Sequence, residues 1–90
     1  MVRYHIIVRG KVQGVGFRFF TQQKASLNGI TGWVKNKSDC SVEIDAEGDK
    51  DSISSFIDAI KKGSPFSKIE EIKIKQLPPL KNNTSFKINY

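Results

Sequence analysis

The chain alternates between segments with a two-residue hydrophobic period and segments with a helical one. From Arg3 to Arg9 apolar side chains recur at every second position, which indicates a strand, and Ile7 on the other face favours an interior place in a sheet. The segment from about Phe17 to Leu27 suits a helix, and Asn28-Gly29 ends it because these residue types adopt the left-handed backbone of a helix C-terminus. One side of this predicted helix carries Phe17, Phe20, the stem of Lys24 and Leu27.

The middle of the chain predicts a hairpin followed by a second helix. Residues 30–35 and 41–46 have the pattern of strands, with Val42, Ile44 and Ala46 alternating with acidic residues, and the polar segment 36–40 suits a hairpin loop. The second helix follows Gly48, with Asp49 or Asp51 as its candidate N-terminal cap. Gly63 and Pro65 end this helix, and its apolar positions follow i, i+3, i+4, i+7: Ile53, Phe56, Ile57 and Ile60.

Two further strands complete the predicted order of elements. Residues 69–77 alternate as a strand, Pro78-Pro79 breaks it, and Phe86, Ile88 and Tyr90 indicate a last short strand. Two helices with one apolar side each would pack on one face of a mainly antiparallel sheet. The order therefore predicts an α+β fold, a ferredoxin-like βαββαβ sandwich with an extra short C-terminal strand, formed by residues 1–90 as a single domain.

Composition narrows the classes of partner. The net charge of +6 favours anionic partners, although the lysines are scattered and form no block. One cysteine, Cys40, excludes an intrachain disulfide, so we expect the reducing cytoplasm, where the Asn-X-Ser/Thr sequons at Asn36, Asn82 and Asn83 carry no glycan. Separately, we expect a monomer. One histidine and one cysteine are too few for the usual zinc clusters, and no segment approaches the ~20 apolar residues of a membrane helix.

The glycine-rich segment from Gly10 to Arg18 joins the first strand to the first helix. It lacks the spacing of a Walker A loop, and Phe19 stands where the dinucleotide fingerprint requires a glycine. Glycines nevertheless let backbone N–H groups approach an anion, and a helix N-terminus adds unpaired donors. A cation such as Arg18 is unfavourable in a first helical turn unless it also binds that anion. The pattern by itself leaves open a plain tight turn with a solvated arginine.

A longer set of motifs favours the anion-binding interpretation of this loop over a plain tight turn. The segments KVQGVGFRFFTQQKAS, TGWVKNKSDCSVEI, FIDAIKKGSPFSKIEEI and SFKINY closely resemble, in order and spacing, the acylphosphatase family. The resemblance implies hydrolysis of acyl phosphates to a carboxylate and inorganic phosphate, with no metal and no cofactor. It implies that Arg18 binds the phosphate and that Asn36 orients the attacking water. It also implies a backbone phosphate cradle formed by Gln13, Gly14, Val15, Gly16 and Phe17.

One position departs from the resemblance. Cys40 stands where the family usually has a glycine. Either the turn keeps a positive φ and is strained by ~1 kcal/mol, or the turn has a different shape.

The implied chemistry suits the residues present. A carboxylate leaving group, whose conjugate acid has a pKa of roughly 4, needs no general acid. Positioning and charge stabilisation are the main requirements of phosphoryl transfer. The one histidine, His5, lies in the first predicted strand, where we expect a structural role. We therefore expect a small-molecule acyl phosphate as substrate, broad acyl specificity, and phosphate or sulfate as competing anions.

Two alternatives are weighed against this hypothesis. A single-stranded RNA-binding module of the same fold is suggested by the positive charge and by Gly14–Phe20, which resembles an aromatic-glycine RNA signature. That signature belongs on the third strand, whereas this segment enters a helix, so we expect no nucleic-acid partner. The other alternative is a carbamoyl-phosphate-handling domain of acylphosphatase type, which normally belongs to a much longer chain.

Overall fold

The structure, a computed structural model, describes residues 1–81 and 84–90, so the sequons that begin at Asn82 and Asn83 lie outside the described residues. The elements follow the order β1 (Val2–Lys11), α1 (Phe17–Leu27), β2 (Thr31–Asn36), β3 (Val42–Gly48), α2 (Lys50–Lys62), β4 (Lys68–Leu77) and β5 (Phe86–Asn89). The predicted ferredoxin-like order with an extra C-terminal strand is confirmed. The predicted bounds differ mainly at strand ends, and Tyr90 lies beyond β5 rather than within it.

The sheet is mixed, with the strand order β4-β1-β3-β2-β5. Strand β1 pairs with β3 and β4, which confirms its predicted interior place, and β3 pairs with β2; all three pairings are antiparallel. The extra strand β5 pairs parallel to β2, with Val34 opposite Ile88. The prediction of a mainly antiparallel sheet is therefore confirmed, with one parallel edge pair.

The hydrophobic core lies between the two helices and one face of the sheet. Register places Ile6 of β1 beside Ile44 of β3, and Ile44 beside Val34 of β2, and all three side chains are fully buried. From α2 the predicted stripe is confirmed: Ile53, Phe56 and Ile60 are buried, and Ile57 packs against the core. Residues of both helices belong to this one core, so both helices cover the same face.

Helix α1 is rotated relative to the prediction. Its buried residues are Phe17, Thr21 and Ala25, with Phe20 only partly buried, whereas Leu27 is 73% exposed. Burial of Thr21 is possible because its hydroxyl donates to the Phe17 carbonyl at 2.8 Å, which satisfies the polar group within the helix. The positions of apolar residues could not predict which side of α1 is buried, because the buried side includes the polar residue Thr21.

Acidic residues of β3 are more buried than the alternating pattern suggests. Asp45 is 3% exposed and pairs with Arg3 at 2.6 Å. Glu47 is 1% exposed, and its carboxylate accepts the backbone N–H groups of Leu80 at 3.0 Å and Lys81 at 2.9 Å. Arg3 also donates to the Pro78 carbonyl at 3.2 Å. These bonds hold the start of the β4–β5 connection against the end of the sheet.

In residues 1–81 and 84–90, neither helix is long and apolar enough to cross a membrane.

The Glu47 contacts generate a stability prediction. Glu47→Ala removes the acceptor of two backbone N–H groups, so we expect the free energy of unfolding to fall by roughly 1–3 kcal/mol, measured by urea denaturation. Glu70→Ala, on the exposed side of β4, is the control and should change it by less than about 0.5 kcal/mol. Equal stabilities for the two variants would contradict an anchoring role for Glu47.

Candidate active site

Three segments that are distant in the sequence meet at one pocket. The loop after β1 and the first turn of α1 contribute Gly14, Gly16 and Arg18, the end of β2 contributes Asn36, and the C-terminal segment contributes Ile88 and Tyr90. The pocket has a volume of about 210 Å³, which is enough for a small anion and part of an attached group. The structure thus brings together Arg18 and the loop with Asn36, as the resemblance implied.

The loop presents its main chain to this pocket. Gly14 and Gly16 have φ angles of 73° and 75°, in the left-handed region that favours glycine. No heavy atom lies within 4 Å of a Cβ added at either position, so the backbone conformation rather than crowding requires glycine there. Phe17 borders the pocket although its side chain is 1% exposed, whereas the partly buried Val15 packs against the core and is not among the residues that line the pocket.

Backbone donors of this loop are unused within the described residues. The first helical hydrogen bond of α1 runs from the Phe20 N–H to the Gly16 carbonyl at 3.0 Å. In the same part of the chain, no carbonyl or side chain accepts a hydrogen bond from the N–H groups of residues 14–18. The first turn of α1 contains no acidic residue that would compete with an anion. Free N–H groups at the positive end of a helix dipole form an anion-binding arrangement.

Arg18 extends from this helical turn to the C-terminal segment. Its guanidinium carbon lies 4.7 Å above the centre of the Tyr90 ring, and Nη1 is 3.4 Å from the Asn89 carbonyl oxygen. None of the carboxylates in the described residues forms an ion pair with it. The charge and most donors of Arg18 therefore remain available for an anion in the pocket.

Asn36 is the last residue of β2 and is paired with Val42 of β3. Its Oδ1 is buried and accepts no hydrogen bond from any described group. Because Asn36 lines the pocket, this oxygen is available to accept a hydrogen bond from a group bound there.

The side chain of Gln13 does not face the pocket. Its Nε2 donates to the Lys37 carbonyl at 2.9 Å and to the Ser41 carbonyl at 2.8 Å, which are residues of the β2–β3 hairpin. One carboxamide thus ties the glycine loop to the hairpin that carries Asn36. Sequence reasoning missed this link, because nothing in the local pattern indicates which distant carbonyls a glutamine reaches.

The turn of the β2–β3 hairpin contains a non-glycine residue, Cys40, with a left-handed backbone conformation. Cys40 has a φ of 72° and is exposed, so of the two turn shapes that the sequence left open the structure has the one with positive φ. The nearby Asp39 accepts hydrogen bonds from the hydroxyl and the N–H of Ser41 and from Arg9, and these donors hold the pKa of the Asp39 carboxyl well below its usual range. The turn is therefore charged and internally bonded at neutral pH.

Other candidate groups lie outside the pocket. His5 is on the opposite face of the sheet from the core, with Nε2 2.6 Å from Glu43 Oε2, which agrees with a structural place in β1. The Gly14–Phe20 segment forms the loop and the start of α1, so its aromatic residues are not displayed on the sheet as the RNA alternative requires. Among the residues with described placement, no group of three or more His, Cys, Asp and Glu side chains could hold a metal ion.

Comparison with known proteins identifies the same family as the sequence motifs. The acylphosphatase family model matches residues 4–88. An acylphosphatase from Bacillus licheniformis is 49% identical over 90 residues, with 100% of both chains covered. The crystal structure of acylphosphatase from Bacillus subtilis has a TM-score of 0.96 and 48% identity, with 100% of each chain covered.

A much longer protein contains a similar unit. The crystal structure of full-length HypF in the phosphate- and nucleotide-bound form matches 99% of this chain with a TM-score of 0.86 and 32% identity, but only 12% of HypF is covered. The relatives that match along their whole length are acylphosphatases. The chain therefore belongs to the acylphosphatase family, and it is an enzyme that hydrolyses acyl phosphates.

Proposed function

We propose that the chain carries out this hydrolysis without a metal ion, by in-line attack of a water molecule that Asn36 positions. In this proposal Arg18 and the backbone N–H groups of Gln13, Gly14, Val15, Gly16 and Phe17 hold the phosphoryl group. The observation that carries it is the shared pocket, in which free N–H groups, a guanidinium without an ion pair and a buried amide oxygen without a hydrogen-bond donor lie together.

Charge stabilisation comes from the cradle and from Arg18. The phosphoryl oxygens of an acyl phosphate carry negative charge throughout the reaction, and a loose transition state spreads it over the equatorial oxygens. Backbone donors at a helix N-terminus and a planar guanidinium match several oxygens at once and are held in place before the substrate arrives. Because Phe17 is anchored in the core, these donors need little reorganisation during the reaction.

Asn36 is proposed to orient the nucleophile. Its buried Oδ1 accepts a hydrogen bond from the water, and its amide N–H₂ can donate to the water or to a phosphoryl oxygen. The departing carboxylate needs no proton. One proton of the attacking water therefore stays on the new P–OH group and the other passes to a phosphoryl oxygen, which gives inorganic phosphate. His5 lies on another face of the sheet and has no part in this step.

The side chain of Gln13 supports this arrangement without itself facing the phosphate. Its bonds to the Lys37 and Ser41 carbonyls fix the distance between the phosphate-binding loop and the β2–β3 hairpin. The distance matters because misplacing a water by about 1 Å can lower a rate about 10²-fold. We further propose that residues 1–90 act as one domain and as a cytoplasmic monomer on a small-molecule substrate, with no cofactor.

Removal of the Arg18 charge should lower activity while the fold persists. We expect Arg18→Gln to reduce kcat/KM for acetyl phosphate by about 10²–10³-fold, because one stabiliser of the transition-state charge is lost. Lys50→Gln removes the same charge from an exposed position at the start of α2 and should have little effect. Near-normal turnover by a folded Arg18→Gln variant would refute the assignment.

Substitution of Asn36 should separate catalysis from phosphate binding. Asn36→Ala is expected to lower kcat severely and to leave the inhibition constant of phosphate nearly unchanged, since the amide contacts the water. Asn36→Asp places a negative charge beside a dianionic substrate, so both turnover and phosphate binding should weaken. If Asn36→Ala lowers only the melting temperature and spares kcat, the residue has a structural role as a turn residue instead.

Anions and metals provide a third test. Phosphate and sulfate should compete with the substrate and raise the melting temperature, because an anion that binds only the native state stabilises it by mass action. Turnover of acetyl phosphate should continue in the presence of EDTA. Loss of activity in EDTA with recovery on adding magnesium or zinc would overturn the metal-free mechanism.

A further inference from the structure

The active-site pocket has an apolar wall beside its phosphate cradle. Phe19, the residue after Arg18, is 67% exposed and lines the pocket. Tyr90, which is 97% exposed, and the partly buried Ile88 line it from the C-terminal segment. Large exposed aromatic side chains are uncommon in the described residues, and among Phe19, Phe66 and Tyr90 two border this one pocket. Their concentration beside a polar cradle requires a physical reason.

Small-molecule sites commonly combine an apolar wall with a few polar groups that fix one end of the ligand. Here the polar end is the set of N–H groups, Arg18 and Asn36, all of which the phosphoryl group and the water would use. Arg18 is the charged side chain that lines the pocket, so a second anionic group on the substrate would find no further cation there. An uncharged apolar group, in contrast, would cover the exposed faces of Phe19 and Ile88.

We infer that Phe19, Ile88 and Tyr90 form an acyl-group subsite that favours acyl phosphates with apolar acyl chains over acetyl phosphate. This inference rests on the proposed function, since it assumes that Arg18 and the cradle hold the phosphoryl end. It replaces the broad acyl specificity expected from the sequence with a graded preference. Tyr90 also contacts Arg18, so Phe19 is the residue through which the subsite can be tested separately.

A series of straight-chain substrates measures the subsite. Acetyl, butanoyl and hexanoyl phosphate have leaving groups of similar acidity, so their intrinsic reactivities are close and differences in kcat/KM report contacts with the chain. Half-burial of each added methylene predicts a rise of about twofold per methylene, or about fifteenfold over the four methylenes that separate acetyl from hexanoyl phosphate. In Phe19→Ala the gain should fall to about threefold or less.

Two further variants control the experiment. Leu27→Ala removes an exposed apolar side chain from the same helix but outside this pocket, so it should keep the wild-type gain. Phe19→Leu retains an apolar side chain and should keep most of the gain, which leaves a usable comparison if Phe19→Ala does not fold. Melting temperatures report the folded state of each variant.

The outcomes distinguish this inference from the proposed function. A wild-type kcat/KM that does not rise with chain length would overturn the subsite, and so would a rise that Phe19→Ala leaves intact. In either case hydrolysis of acetyl phosphate that depends on Arg18 would leave the proposed function standing. Acetyl phosphate turnover that does not depend on Arg18 would instead remove the proposed function, and the subsite with it.

Discussion

The left-handed backbone at Gly14 and Gly16 is the constraint on which the pocket depends. It turns the chain from β1 into α1 within a few residues and leaves the N–H groups of that turn without carbonyl partners. A side chain at either position would strain the backbone by about 1 kcal/mol, although open space surrounds both. The buried Phe17 then anchors the start of the helix in the core, directly after the turn that carries these N–H groups.

The second half of the site depends on sheet register and on one carboxamide. Pairing of Asn36 with Val42 places the amide at the end of β2, at the start of the hairpin. Gln13 joins that hairpin to the glycine loop through two short hydrogen bonds, although β1 and β2 are not neighbours in the sheet. The hairpin accepts a left-handed Cys40 at a cost of about 1 kcal/mol, and bonds within the turn offset this strain.

The pocket is completed from the edge of the sheet. Parallel pairing of β5 with β2 brings Ile88, Asn89 and Tyr90 to the side of Arg18. At the start of the connection between β4 and β5, the backbone N–H groups of Leu80 and Lys81 donate to the buried carboxylate of Glu47. Burial of a charge in this place is tolerated because the backbone donors replace water.

Most of the fold and the polar part of the site were predictable from the sequence alone. The order of elements, the stripe of α2 and the glycine turn follow from hydrophobic period, capping residues and the conformational range of glycine, all of which act over a few residues. The pairing of Arg18 with Asn36 in one site came from the resemblance of long motifs, not from spacing. Local patterns and family motifs are both properties of the linear sequence, so neither requires knowledge of the tertiary structure.

Only the tertiary structure decided the remaining features. The buried side of α1 includes Thr21 because its hydroxyl donates to the Phe17 carbonyl of the same helix. Glu47 is buried because backbone N–H groups distant in the sequence donate to its carboxylate. The Gln13 side chain bonds to the hairpin rather than facing the pocket. Phe19, Ile88 and Tyr90 line the same pocket because β5 pairs with β2 at this edge of the sheet. The sequence determined which local structures form, whereas the structure decided which side chains those elements bring together, since such contacts depend on residues far apart in the chain.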